Sequence, residues 1–326
     1  MLARRIDGIH GVEARPGTTL VAIGNYDGVH RGHQAVIAAA AERAVSRRLR
    51  PLVLTFDPHP HVVLGGQSHQ PLTTVDRKVE LLSRLHDQLA VIVEPFTVEL
   101  ASCAPERFVR EILVDQLGAR EVLVGENFRF GRERVGDLEL LRKLGEKLGF
   151  QADAETLQGD EGGAFSSTRV RRAIADGDLV RAEAILGRPH ALTGNVVAGD
   201  GRGRAMGVPT ANLAGVRETL PPDGVYACLV DEVKASGIAF CLARGVANLG
   251  VRPTVNAGRS IEVHLLGHDE DLYGRRLRVH VVDRIRDERR FPSLVELSRQ
   301  IAADLAEATR RLADRQPDPK ASGAWH

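Results

Sequence analysis

The run Leu20-Val-Ala-Ile-Gly-Asn-Tyr-Asp-Gly-Val-His-Arg-Gly-His-Gln34 decides how the first half of this chain folds. Residues 20–23 are apolar and few enough for a buried strand. The chain then passes through Gly24, Asp27, Gly28 and Gly32 into Gln34-Ala-Val-Ile-Ala-Ala-Ala-Ala-Glu-Arg-Ala44, which is rich in helix formers. A strand, a glycine-rich turn and a helix together set backbone N–H groups and the positive end of a helix dipole against a phosphate. His30 and His33 lie in this turn, three residues apart at a helix start, so they face the same way. Both can donate to phosphate oxygens that gain charge during a reaction. Gly32 between them leaves room for a ligand against the backbone.

Outward from the turn, short apolar runs alternate with amphipathic ones as far as about residue 156. The pattern predicts strands over 51–56, 89–93 and 121–125, and helices over 74–89, 105–117 and 138–148. Such alternation predicts a parallel sheet with helices on its faces and ligands at the carboxyl ends of the strands. Polar residues fall there: 51–56 leads into Asp57-Pro-His-Pro-His61, and 121–125 into Gly125-Glu-Asn-Phe-Arg-Phe-Gly131. Asn127 could bind an adenine edge, a ribose or a phosphate. Phe128 and Phe130 could wall a flat ring or pack into the core. Further on, Phe165-Ser-Ser-Thr-Arg-Val-Arg-Arg-Ala-Ile174 combines good N-cap residues with Arg169, Arg171 and Arg172, a second anion site.

With 326 residues the chain has room for two domains, and a formal net charge of +1 gives no field for nucleic acid or an anionic membrane as main partner. Small molecules are the expected partners, and a homo-oligomer stays open. Cys103, Cys228 and Cys241 lack paired or metal-type spacing, which points to a reducing compartment and no zinc site. No signal-peptide core or membrane-length run is seen, so the expectation is a cytoplasmic protein.

After residue 187 the texture changes. Strand-like pieces over 191–197, 224–230, 240–247, 261–266 and 276–282, separated by glycine and proline, predict a small antiparallel barrel. A closing helix over 293–312 begins with the capping box Ser293/Glu296. The expected domains are 1–187 and 188–313, with 314–326 a disordered tail. In Gly199-Asp-Gly-Arg-Gly-Arg-Ala-Met-Gly-Val-Pro-Thr-Ala-Asn-Leu213, glycines can wrap a phosphate chain, and Thr210 and Asn212 offer hard oxygen ligands of the kind Mg²⁺ takes. Alternation in Ile261-Glu-Val-His-Leu-Leu266 puts Glu262, His264 and Leu266 on one face. A carboxylate placed like Glu262 beside a phosphate site can accept the proton of an attacking alcohol.

These motifs resemble those of the bacterial bifunctional riboflavin kinase/FAD synthetase family. Gly24-Asn-Tyr-Asp-Gly-Val-His-Arg-Gly-His33 is similar to its His-x-Gly-His nucleotidylyltransferase signature, with Tyr26 for Phe, and Ser166-Ser-Thr-Arg-Val-Arg171 to its Ser-Ser-Thr-x-Ile-Arg segment. Pro209-Thr-Ala-Asn212, Pro222-Asp-Gly-Val-Tyr226, Ala247-Asn-Leu-Gly-Val-Arg-Pro-Thr254, Glu262-Val-His-Leu-Leu266, Asp271-Leu-Tyr-Gly274 and Asp287-Glu-Arg-Arg-Phe291 follow in the order of its kinase domain. Val208 departs from the family's usual Phe, and Gly267-His268 from its Asp-Phe; both are expected near the flavin side of the kinase site.

The resemblance implies an α/β protein: a Rossmann-like nucleotidylyltransferase domain followed by a riboflavin kinase-like barrel with a closing helix. It implies phosphorylation of riboflavin to FMN, then adenylylation of FMN to FAD, with ATP as co-substrate and Mg²⁺ as cofactor. Glu262, His30, His33 and Arg171 are the implied catalytic residues. The implied nucleotide site of the first domain is Gly24, Asn25, Asp27, Gly28, His30, His33, Asn127, Ser167, Thr168 and Arg171, with Asp57, Phe128 and Phe130 for its flavin. The implied kinase nucleotide site is Gly201, Gly203, Arg204, Gly207, Thr210 and Asn212, the last two also holding the metal. The alternative is an FMN adenylyltransferase alone, with the barrel as a flavin-binding or assembly module.

Overall fold

A computed structural model describes residues 5–65, 70–155, 158–199, 203, 206–251, 259–318, 321 and 324–326. The chain divides into two compact units, residues 1–69 with 75–166, and residues 70–74 with 167–326.

The first unit is built on a six-stranded sheet: β1 (Arg5–Asp7), β2 (Thr19–Ile23), β3 (Arg50–Asp57), β4 (Ala90–Pro95), β5 (Ala119–Gly125) and β6 (Gln151–Glu155). All neighbours are parallel, in the order β1-β4-β3-β2-β5-β6. Period-two alternation sends successive side chains to opposite faces, so each strand feeds two cores. Val21, Ile23, Leu52, Leu54, Val122 and Val124 pack with Val109, Leu113 and Leu141 from the helices on one face. Leu20, Ala22, Val53, Val91 and Leu123 pack with Ile37, Ala41 and Leu82 on the other. The chain builds outward from β2 through β3 to β4, then crosses back to lay β5 against the other side of β2. That reversal at β2 is the switch point where doubly wound sheets bind ligands, and the histidine turn leaves from its carboxyl end.

The second unit is a closed antiparallel barrel. Its strands are β9 (His190–Val197), β10 (Ala211–Ala214), β11 (Gly224–Val233), β12 (Ala239–Val251), β13 (Arg259–Leu265) and β14 (Arg276–Arg286), in the order β10-β13-β12-β11-β14-β9. Two-residue strands β7 (Gly159–Asp160) and β8 (Gly163–Ala164) form a separate hairpin in the first unit. Inside the barrel lie Leu192, Tyr226, Cys228, Ala247, Val263 and Val279. Val225, Ala227, Leu229 and Val246 point outward and are covered by Ala308 of the closing helix Leu294–Arg311, by its C-cap Leu312 and by Trp325. Ser293 caps that helix, accepting from Glu296 N at 3.2 Å.

Two expectations need correction. Helices Ser167–Ala175 and Leu179–Leu186 belong to the compact unit of the barrel, because Leu179 packs into the barrel core and Glu183 pairs with Arg315 at 2.6 Å. The tail is held against the barrel where it is described. Trp325 is 3% exposed, its backbone N–H donates to Asp231 Oδ1 at 2.9 Å, and its indole N–H reaches the carbonyls of Val230 and Ala243.

Candidate active sites

In the first unit, the helix Arg31–Ser46 starts directly from the turn, and His30 is its N-cap: the Nδ1 atom accepts from His33 N at 3.3 Å. An Nδ1 that accepts leaves the ring proton on Nε2, so His30 is a donor through that atom. The His30 and His33 rings stack with centroids 3.5 Å apart, and Tyr26 meets His33 edge-on at 5.2 Å. Burial, then the neighbouring His30 and Lys78, pull the His33 pKa well down, so this imidazole is neutral at pH 7. Its Nδ1 is buried and has no hydrogen-bond partner among the described residues.

The backbone here is tightly specified. Tyr26 and Val29 hold φ of 46° and 41°, a left-handed conformation that costs non-glycine residues roughly 1–3 kcal/mol. Gly24 lies under the Tyr26 ring: a Cβ there would sit 2.8 Å from it. A Cβ on Gly32 would crowd the His30 ring and Phe165. Thr55 on β3 donates to Asn25 O at 3.2 Å, fixing the near side of the turn.

The other expected residues of this site are placed as follows. Asp27 is 4% exposed, whereas Asp57 lies exposed at the end of β3 and Asn127 is exposed just beyond β5. Phe130 is a core residue, 6% exposed and packed 5.6 Å from Phe108, so the open choice between ring wall and core resolves to core for it. Phe128 is half-buried and stacks on Phe130 at 5.5 Å. Ser167, Thr168 and Arg171 open a helix that belongs to the second unit, where Arg171 Nε donates to Gln70 O at 3.3 Å. The sequence reading missed Lys78. It lies on the helix Val75–Ser83, whose exposed neighbour Asp76 suggests a solvated face, yet Lys78 is 6% exposed.

The second unit carries a cavity of about 470 Å³ on the outer face of the barrel. Strand pairing sets Asn212 of β10 and Asn248 of β12 on either side of Glu262 of β13, giving a row of polar side chains across three strands. Thr210, just before β10, donates to Glu262 Oε2 at 3.5 Å. His264, two residues along the same face, donates from Nδ1 to Pro209 O at 2.8 Å and so ties the residue preceding Thr210 to β13. A Cβ on Gly199 would fall on the Asn212 amide, and Gly207 takes φ of 73° in open space, where glycine is favoured. Gly203 folds the loop back, accepting from Met206 N and Val208 N. Gly201 and Arg204 lie outside the described residues.

Around this row the lining mixes apolar Val225, Val246, Phe291, Leu297, Ile301 and Leu305 with charged Arg286, Glu288, Arg289 and Asp304. The guanidinium groups of Arg286 and Arg289 lie 5.5 and 4.8 Å from the centre of the Phe291 ring, and Arg286 is locked on Asp304 by contacts of 2.8–3.1 Å. Val208 lines the cavity; Gly267 and His268, expected there too, are not among its lining residues and follow β13 in a turn where Gly267 has φ of 68°. The sequence reading missed Asn248 as a site residue, although it stands in a quoted motif.

Two family models match this chain, FAD synthetase over residues 12–169 and riboflavin kinase over 186–312. A bifunctional riboflavin kinase/FMN adenylyltransferase of Escherichia coli K12 is 40% identical over 302 residues, 92% of this chain and 95% of that one. The chain belongs to this bifunctional family. Proteins of the same description from Pseudomonas fluorescens (38% identical, 94% and 97% covered) and Bacillus subtilis (32%, 92% and 95%) agree. A crystal structure from Streptococcus pneumoniae, described as a macrolide-efflux protein, superposes with a TM-score of 0.78 at 29% identity over 95% of this chain and 99% of that one. Among the described residues of the present chain, no helix is long and apolar enough to cross a membrane.

Proposed function

We propose that the two sites divide the family's two reactions between them, the row around Glu262 phosphorylating riboflavin and the turn around His30 and His33 adenylylating the FMN produced. The protein is a riboflavin kinase and an FMN adenylyltransferase, and both steps use ATP. The observation that carries the assignment is the distribution of groups: one unit holds a carboxylate in a polar row that shares its cavity with apolar side chains, the other a stacked histidine pair at a helix N-terminus.

In the kinase step, Glu262 takes the proton of the riboflavin 5′-hydroxyl as that oxygen attacks the γ-phosphorus of ATP, and ADP departs. The apolar side chains of Val225, Val246, Phe291 and Leu305 in the cavity suit the isoalloxazine ring. Oxygens of Thr210 and Asn212, brought beside Glu262, fit Mg²⁺, which keeps most of its shell for phosphates and water. When bound, that ion neutralises charge on the transferring phosphoryl group. Residues 206–210, tied to β13 where His264 bonds Pro209 O, position the nucleotide.

In the adenylyl step the nucleophile is a phosphate oxygen of FMN, already anionic, so no base is required. It attacks the α-phosphorus of ATP, and pyrophosphate leaves. Neutral His33, the Nε2–H of His30 and the amides opening the helix Arg31–Ser46 supply preorganised donors for the charge that develops. Asn127, in the same unit, is assigned to this step on the strength of its sequence motif.

The test is a chromatographic time course with riboflavin, ATP and Mg²⁺. FMN should rise first and FAD follow. FAD from supplied FMN but nothing from riboflavin would remove the kinase assignment.

A further inference from the structure

A buried ammonium lies on the side of the histidine turn that faces β3. Lys78 is 6% exposed, and its Nζ donates to two neutral oxygens at long distances, Thr55 Oγ1 at 3.3 Å and Phe56 O at 3.4 Å. Among the described residues no carboxylate comes within ion-pair distance of it, although Asp27 and Asp57 act on it from further away. An ammonium taken out of water is costly unless an anion is close. Two long bonds to neutral oxygens do not provide one, and a third proton remains available.

The surroundings say which way that proton is used. Phe56 is near the carboxyl end of β3, beside the switch-point strand β2, where ligands bind in this class of sheet. Thr55, which accepts from Lys78, donates in turn to Asn25 O of the turn. Lys78 also depresses the pKa of His33, so the two groups feel each other's charge. Burial pulls the Lys78 pKa down, whereas Asp27 and Asp57 hold it up.

We infer that Lys78 is a further catalytic residue of the adenylyltransferase site, its ammonium taking up a phosphoryl oxygen beside the histidine pair. This rests on the assignment of that turn to adenylylation. The anion is a phosphate ester in either case, from the triphosphate of ATP or from the phosphate of FMN. No bond to Lys78 forms or breaks, and its proton stays on nitrogen throughout.

The experiment compares Lys78→Met, which keeps length and loses charge, with Lys78→Arg, which keeps charge. Each is assayed in the full chain for FAD formation from FMN and ATP with Mg²⁺, and for FMN formation from riboflavin as a control. Lys78→Met should lose about a hundredfold in adenylyltransferase kcat/KM, the scale of one lost donor to developing charge. Lys78→Arg should recover at least tenfold of that loss, and the kinase reaction should be unchanged. Weaker inhibition by inorganic pyrophosphate in Lys78→Met would place the contact on ATP; weaker FMN binding by titration would place it on FMN.

Lys78→Met within threefold of the parent chain would overturn the inference. So would equal losses in both variants with a fall in melting temperature, which would make Lys78 a brace for the turn. An absence of FAD formation by the unaltered chain would instead sink the assignment of the turn itself.

Discussion

In the proposed division of the two reactions, the two sites meet the same problem, charge building up on phosphate, with opposite materials. The turn after β2 is close-packed and held by its backbone: its histidines stack on each other, His33 is neutral, and Tyr26 and Val29 take left-handed conformations. The row on the barrel is open, lies on an outer face, and is made of oxygens: Thr210, Asn212, Glu262 and Asn248. On that assignment, the difference follows from the nucleophile. An alcohol must lose a proton to attack, so a carboxylate is needed; a phosphate is already charged, so only donors are.

The sharpest way to break this contrast is to remove the base. Glu262→Gln should cut FMN formation from riboflavin by about a thousandfold, within the usual range for a positioned general base, with FAD formation from supplied FMN unchanged by the same chromatographic assay. If FMN formation survives, the row is a binding surface and the contrast collapses. Next in size, His33→Ala should lower FAD formation by about a hundredfold through the lost donor, while FMN accumulates at the parental rate. Loss of both activities in a folded His33→Ala protein would show that the sites are not separate.

The comparison extends to stability. The barrel is stapled by Trp325, whose indole is buried between β11 and β12. Trp325→Ala should cost about 3 kcal/mol, seen as kinase activity that fails at lower temperature while adenylyltransferase activity persists. A common loss of both would mean that the units unfold as one.

The smallest effect concerns pH. Burial drives the pKa of His190 in β9 down to about 4, despite the bond from Nε2 to Thr219 O at 2.7 Å. Its folded pKa lies below the ordinary value of about 6.5, so the unfolded chain binds the proton first. Stability is therefore lost as pH falls from about 6.5 towards 4, by roughly 3 kcal/mol at most. His190→Gln, which keeps a donor towards Thr219, should show a shallower fall in melting temperature between pH 6.5 and 4.5. An unchanged slope would assign the acid sensitivity to another group.

Much of this was legible in the chain because its signals are local. Apolar runs gave β2 to β5, and the strict alternation of Ile261 to Leu265 placed Glu262 and His264 on the outer face and Val263 in the barrel core. What escaped notice is non-local. Strand β10 is four residues long and hides in a glycine-rich loop, visible only once β9 and β13 pair with it. Lys78 sits on a helix where residues 77–83 are all buried, charged ones included, and no periodicity announces that. The tail reads as polar and proline-broken, yet it carries the chain's single tryptophan, whose burial outweighs its flanks. Phe130 and Phe128 share a motif but not a role, because the Phe130 ring packs against Gly136, which has no side chain to displace it.

On the proposed assignment the kinase cavity lies outside the barrel, with a consequence for how substrate choice can drift. Along β11 and β12, Val225 and Val246 face the cavity while their immediate neighbours Tyr226 and Ala247 fill the barrel interior. On that assignment, selectivity among flavin analogues and integrity of the scaffold are written on alternate residues of the same strands. A library confined to the outward positions can explore new acceptors with little penalty in folding, and one confined to the inward positions will yield mostly insoluble protein with unaltered preference.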